Sequence, residues 1–146
     1  MALPERVAAP EFDLAEPSGQ RIRLSDFRGK PLIVNFWATW CPPCRAEMPS
    51  LQRAWEQLEQ EGIGVVAINV GEDAKAIGQF MATSGLTFPL LMDRDSRVRR
   101  AWAVQGLPMT FVVDPKGRTV YRVVGDREWD DPALLNLVRG LKEDSK

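Results

Sequence analysis

The residues of this chain best suited to chemistry are Cys41-Pro42-Pro43-Cys44, which hold both of its cysteines. Two thiols separated by two residues can interconvert between a dithiol and a disulfide. Exchange needs a thiolate that attacks a disulfide sulfur and a second thiol that releases the mixed disulfide. The flanking residues suit this. Leu32-Ile33-Val34-Asn35-Phe36-Trp37 is nearly all apolar, as in a strand buried on both faces. Beyond Cys44, apolar residues recur at Met48, Leu51, Trp55 and Leu58, the spacing of one helical face. Cys41 is therefore expected near a helix N-terminus. Unpaired N–H groups and the helix dipole there favour negative charge and lower a thiol below its free value of about 8.5. Pro43 fits a first helical turn, which needs no N–H donor, and with Pro42 it stiffens the loop. A static disulfide over so short a loop would add little stability, so the spacing points to a reversible redox pair.

The composition narrows the alternatives. At 146 residues, 45% hydrophobic and 27% charged, the chain has the balance of one soluble globular domain. Its 19 basic and 20 acidic residues leave a net charge of −1, so there is no basic field to hold nucleic acid. The densest basic cluster, Arg97, Arg99 and Arg100, reads as a solvated helix face. The absence of histidine removes imidazole base chemistry and imidazole metal ligation together. Two cysteines cannot complete a four-cysteine zinc site within one chain. No metal and no cofactor beyond a Cys41–Cys44 disulfide is expected. No run approaches the roughly 20 apolar residues of a membrane span, and Met1–Pro10 lacks the apolar core of a signal peptide. A cytosolic product and a chain starting after a removed leader or anchor both fit that observation.

Other elements must position the pair. Residues 1–10 are expected to be a loose lead-in and 11–146 a single domain. Phe12-Asp13-Leu14 and Ile22-Arg23-Leu24 flank the turn-forming Glu16-Pro17-Ser18-Gly19, a hairpin pattern. The helix after the cysteines should run from about Pro43 to Gln60 and end at Gly62. Ile63–Val70 reads as a second buried strand, parallel to the first because a helix crosses between them. A helix over 73–84 should turn Ile77, Phe80 and Met81 inward, followed by a strand over Phe88–Met92. A short helix over Ser96–Trp102 should bury Val98, Ala101 and Trp102. Met109–Val113 and Thr119–Val124 are strands joined by Asp114-Pro115-Lys116-Gly117, a hairpin turn. A last helix over 131–142 carries Leu134, Leu135, Val138 and Leu141. Trp55 and Trp102 are expected in the core.

The segment Phe36-Trp37-Ala38-Thr39-Trp40-Cys41-Pro42-Pro43-Cys44-Arg45-Ala46-Glu47-Met48-Pro49 resembles the active site of the thioredoxin superfamily. More narrowly it is similar to the TlpA/ResA/CcmG branch of extracytoplasmic thiol–disulfide oxidoreductases. Leu24–Pro31, Asn69-Val70-Gly71-Glu72 and Gly106-Leu107-Pro108-Met109-Thr110 match as well, so the resemblance runs from about residue 10 to about 142. It implies an α/β thioredoxin-like fold: a central mixed sheet flanked by helices, with an N-terminal β-hairpin and a central βα insert. It implies a cis Leu107–Pro108 bond beside the cysteines, a form taken by only about 5–6% of X-Pro bonds in folded proteins. A cis bond would leave the Leu107 backbone open to an extended substrate peptide. Ordinary thioredoxins carry a buried aspartate where this chain has Asn35, which cannot titrate. The branch carries a glutamate in its central insert, and Glu72 matches it. The resemblance implies that Glu72 lies near the thiols, tunes them and passes protons. Trp40, Pro42 and Leu107 would form an apolar contact patch for partners.

The implied function is an enzyme that reduces disulfides of exported proteins through Cys41 and Cys44, in a role of the cytochrome c maturation type. The implied partners are protein disulfide substrates such as apocytochrome c, with a membrane thiol-reducing transporter as electron donor. A monomer in the bacterial periplasm, or on the outer face of the membrane, is expected. Two other readings compete. A peroxiredoxin-like peroxidase would carry a proline and a threonine where this chain has Val34 and Ala38. A Cu(I) carrier of thioredoxin fold would pair its cysteines with a histidine, although two thiolates alone can still bind Cu(I).

Overall fold

The structure is a computed structural model that describes residues 1–145. Its centre is strand β4 (Leu32–Trp37), in which every residue is buried. On one side β4 pairs in parallel with β5 (Gly64–Val70), and on the other it pairs antiparallel with β7 (Met109–Val113). Hydrogen bonds along both edges and side chains covered on both faces explain why this segment is apolar at every position but Asn35.

Around that core the strands are β1 (Ala2–Ala8), β2 (Asp13–Ala15), β3 (Arg21–Arg23), β6 (Leu90–Asp93) and β8 (Arg118–Val124). They form one eight-stranded mixed sheet in the order β1-β8-β7-β4-β5-β6-β2-β3. The expected N-terminal hairpin is β2–β3, and it joins the sheet through a single pairing of Ala15 with Met92. The expected central βα insert adds helix α2 (Ala74–Ser84) and β6, which runs parallel to β5. The other helices are α1 (Pro42–Leu58), α3 (Arg97–Ala101) and α4 (Pro132–Arg139). None of the described helices is long and apolar enough to cross a membrane.

The alternation of side chains along β4 builds two cores. Ile33 and Trp37 face the larger one, with Met48 and Leu51 of α1, Ile77 of α2, and Leu135 and Val138 of α4. Leu32, Val34 and Phe36 face the second, with Val98 and Trp102 at α3. In that second core Trp102 meets Phe36 at 5.7 Å and Phe111 at 5.1 Å between ring centroids. Gly62 takes φ +76° where the chain leaves α1 for β5, a left-handed conformation that costs glycine least.

Three expectations are corrected. Residues 1–10 are not a loose lead-in: Ala2–Ala8 is an edge strand antiparallel to β8, and Trp102 Nε1 donates to the Pro10 carbonyl at 3.1 Å. Ala101 is exposed, because the five-residue α3 buries only Val98 before Trp102 closes it. Trp55 is half-buried, packed against the core from its rim.

The β7–β8 turn is pinned by Asp114, whose side chain is fully buried. It accepts hydrogen bonds from the N–H groups of Lys116 and Arg118 at 2.9 Å each, from Arg118 Nε at 2.8 Å and from Arg6 Nη1 at 3.2 Å. Burial alone would raise this carboxyl. The bonds and charge of Arg118, with the Lys116 N–H, outweigh burial and hold the group below the usual carboxylate range. A depressed folded-state value stabilises the fold above the unfolded-state value and loses that stability as pH falls through the folded one. Asp114→Asn is expected to lower the unfolding free energy by about 2 kcal/mol at neutral pH. The gap to the parent should start to shrink as pH falls below the unfolded-state value of about 4, and close only once the folded carboxyl, held lower, takes up its proton. Denaturant titrations across pH 2–7 read both effects.

Candidate active site

The chain leaves the end of β4 at Trp37 and reaches the N-terminus of α1 within four residues. Cys41 is the N-cap of α1, in extended conformation, and its Sγ accepts from the Cys44 N–H at 3.3 Å. Pro42 and Pro43 occupy the first helical positions, where a missing N–H costs the helix nothing. Cys41 and Cys44 are joined as a disulfide with a Cα–Cα distance of 5.2 Å. Cys41 is 4% exposed and Cys44 fully buried, so of the two cysteines only the first borders solvent. Pro42 is exposed, and Trp40 is 67% exposed, rare for so large an apolar side chain.

Leu107–Pro108 is cis, as the resemblance implied. Pro108 is buried and Leu107 half-buried, and Leu107 lines a groove together with Trp40. The structure thus brings Trp40 and Leu107 onto one surface beside Cys41.

Glu72 is half-buried, and its carboxylate reaches the loop before the cysteines rather than a sulfur. Oε1 accepts from the Thr39 N–H at 2.7 Å and from Asn69 Nδ2 at 2.8 Å, while Oε2 accepts from Thr39 Oγ1. Arg45 Nη1 takes the Thr39 carbonyl at 2.7 Å. Every polar group of Thr39 is therefore held, two residues before Cys41.

One residue of the site was not singled out from the sequence. Glu47, one helical turn beyond Cys44, is 1% exposed. Its Oε1 accepts from Asn35 Nδ2 at 2.6 Å, and its Oε2 from the Arg127 N–H and Trp129 Nε1, each at 3.0 Å. Burial pushes its carboxyl above the ordinary value, against the pull of those three donors. Asn35 also donates to Thr110 Oγ1 at 2.9 Å, while its own Oδ1 has no partner. A helical glutamate among other charged residues reads as solvent-facing. The available signal was Asn35 itself, since an amide inside a buried strand requires a polar partner.

The chain matches the AhpC/TSA family over residues 6–122. It is 42% identical over 117 residues to the thiol-disulfide oxidoreductase ResA of Bacillus subtilis, covering 80% of this chain and 65% of that protein's length. It is 38% identical over 123 residues to the ResA protein of Geobacillus thermodenitrificans, covering 84% of this chain and 71% of the relative. Among solved structures, a thiol:disulfide interchange protein of the thioredoxin family from Chlorobium tepidum superposes with a TM-score of 0.81. It is 30% identical and matches 94% of this chain and 99% of its own.

The Thr39 clamp makes a direct expectation. In Glu72→Ala the Thr39 N–H loses its acceptor, and its hydrogen exchange should accelerate about tenfold, the equivalent of ~1.4 kcal/mol. Amide exchange at residues 38–41 in the oxidised protein measures this.

A buried Cys41–Cys44 disulfide at a helix N-terminus, a cis proline and these relatives lead to one conclusion: the chain belongs to the AhpC/TSA family and, within it, to the ResA-like thiol–disulfide oxidoreductases.

Proposed function

We propose that the protein works as a reductant of disulfides in exported proteins, with Cys41 as the attacking thiol and Cys44 as the resolving one. The observation that carries this order is the exposure difference: Cys41, next to the exposed Trp40, reaches solvent, and Cys44 is fully buried. In the first step the Cys41 thiolate attacks a substrate disulfide. A bond forms between Cys41 Sγ and one substrate sulfur, and the other leaves as a thiolate that takes up a proton. In the second step Cys44 loses its proton and attacks Cys41 Sγ. The Cys41–Cys44 disulfide forms, and the second substrate sulfur leaves as a thiol. Two electrons pass to the substrate, and the oxidised pair must then be recharged by a dithiol donor.

The resemblance to ResA supports apocytochrome c cysteine pairs as substrates, a membrane thiol-reducing transporter as donor and a site outside the bacterial cytoplasm. Pro42 and Pro108 complete the surface that meets the substrate, and the backbone beside the cis bond receives it as an added strand. Glu72 acts on the dithiol by holding Thr39, and so fixes the approach of Cys41. The second step needs a proton acceptor in the interior. Glu47 lies three residues beyond Cys44 in the same helix, a spacing that puts both on one face. We assign to it the proton taken from Cys44.

Cys44→Ser is expected to accumulate a mixed disulfide with a disulfide-bonded protein substrate, and Cys41→Ser to form none. Mass spectrometry of the quenched reaction distinguishes them, and trapping through Cys44 instead would reverse the assigned order. Glu47→Gln should slow the resolving step by about a hundredfold and flatten its pH dependence. Stopped-flow tryptophan fluorescence checks this, and an unaltered pH profile would remove Glu47 from the proton path.

A further inference from the structure

Of the three arginines expected on a solvated helix face, Arg97 and Arg100 are exposed, but Arg99 is half-buried. It lines a groove together with Trp40 and Leu107. Nη1 donates to the Val104 carbonyl at 2.6 Å, which holds the guanidinium against this groove of about 250 Å³. Trp40, Val70, Val104 and Leu107 supply the apolar walls, and Arg99 is the one charged side chain among the lining residues. Nearby carboxylates are committed elsewhere. Glu72 bonds to Thr39 and Asn69, and Asp93 accepts from the N–H groups of Val98 and Arg99. None of the ion pairs among the described residues involves Arg99.

A cation half-withdrawn from water, with no counter-ion, set into an apolar groove, attracts a carboxylate more strongly than a solvated one does. The planar guanidinium still has N–H groups to offer a carboxylate in the forked geometry it matches best. The groove adjoins the residue before Cys41 on one side and the cis bond on the other. A chain segment flanking a disulfide under attack would have to cross it.

We infer that Arg99 is a specificity-determining residue: it selects substrates whose disulfide is flanked by an apolar side chain, which fills the groove, and an acidic one, which pairs with the guanidinium. This rests on the reductase reading given above. The partner is therefore an acidic polypeptide segment beside a cysteine. The reach of the field is short, so the preference should weaken as salt rises.

The test uses the whole reduced chain and three peptides that share one disulfide and one leucine on each side of it. They differ in the adjoining residues, which are Glu, Gln or Lys. The parent protein should reduce the Glu peptide with a kcat/KM about three- to tenfold above the Lys peptide, mainly through KM, and the ratio should fall toward one in 1 M salt. Arg99→Gln should level the Glu-to-Lys ratio and Arg99→Glu should invert it. A parent with no preference, or an Arg99→Gln variant that slows all three peptides alike and keeps the ratio, overturns the inference and leaves Arg99 only as a support for Val104. Failure of the reductase reading shows differently. The Gln peptide would then react no faster with the parent than with Cys41→Ser, and the inference would fall with it.

Discussion

Strand β4 is paired on both edges and covered on both faces, and its fixed end is what aims the chemistry. A strand locked in that way cannot shift register without turning Ile33 and Trp37 out of one core and Val34 and Phe36 out of the other. The chain that leaves it has four residues in which to reach the first turn of α1, so Cys41 must arrive at the helix N-terminus. There the oriented N–H groups favour a thiolate, and Pro42 and Pro43 restrict the loop at no cost to the helix. A stable disulfide and a reactive dithiol both follow from that one junction.

The second requirement is that the junction not drift, and polar contacts meet it from two directions. Outside, Glu72 and Arg45 take the polar groups of Thr39. Inside, Glu47 and Ser50 fasten α1 to the segment before α4: Glu47 accepts from the Arg127 N–H and Trp129 Nε1, and Ser50 Oγ accepts from the Trp129 N–H at 3.0 Å. An unpaired buried carboxylate would be costly, but this one has three donors, and its raised protonation range suits a group that gives and takes a proton. Asn35 ties the same carboxylate to β4 and, through Thr110, to β7. The acid beside Cys44 is therefore anchored to the strand that aims Cys41.

Much of this was readable in the residues, because the strongest signals are local. Six buried residues before the cysteines and a helical apolar face after them set the strand, the helix and the pair between. The Asp114–Gly117 turn marked the β7–β8 hairpin, and the motif around Pro108 marked the cis bond. What escaped was held by contacts distant in sequence. Strand β1 contains Pro4 and is exposed at six of its seven positions, so no alternation reveals it; pairing with β8, more than a hundred residues away, creates it. Glu47 is buried by a segment 80 residues further on. Arg99 belongs to a run of arginines that looks solvated until the fold sets Val104 beside it.

The direction of electron flow is set by the redox poise of the Cys41–Cys44 pair. Equilibration of the whole protein with defined thiol–disulfide buffers, read by the fraction of trapped thiols, gives its reduction potential. A reductant of exported proteins requires a value near or below that of thioredoxin, about −270 mV. A value near that of DsbA, about −120 mV, would make the pair an oxidant and contradict the proposed direction of electron flow.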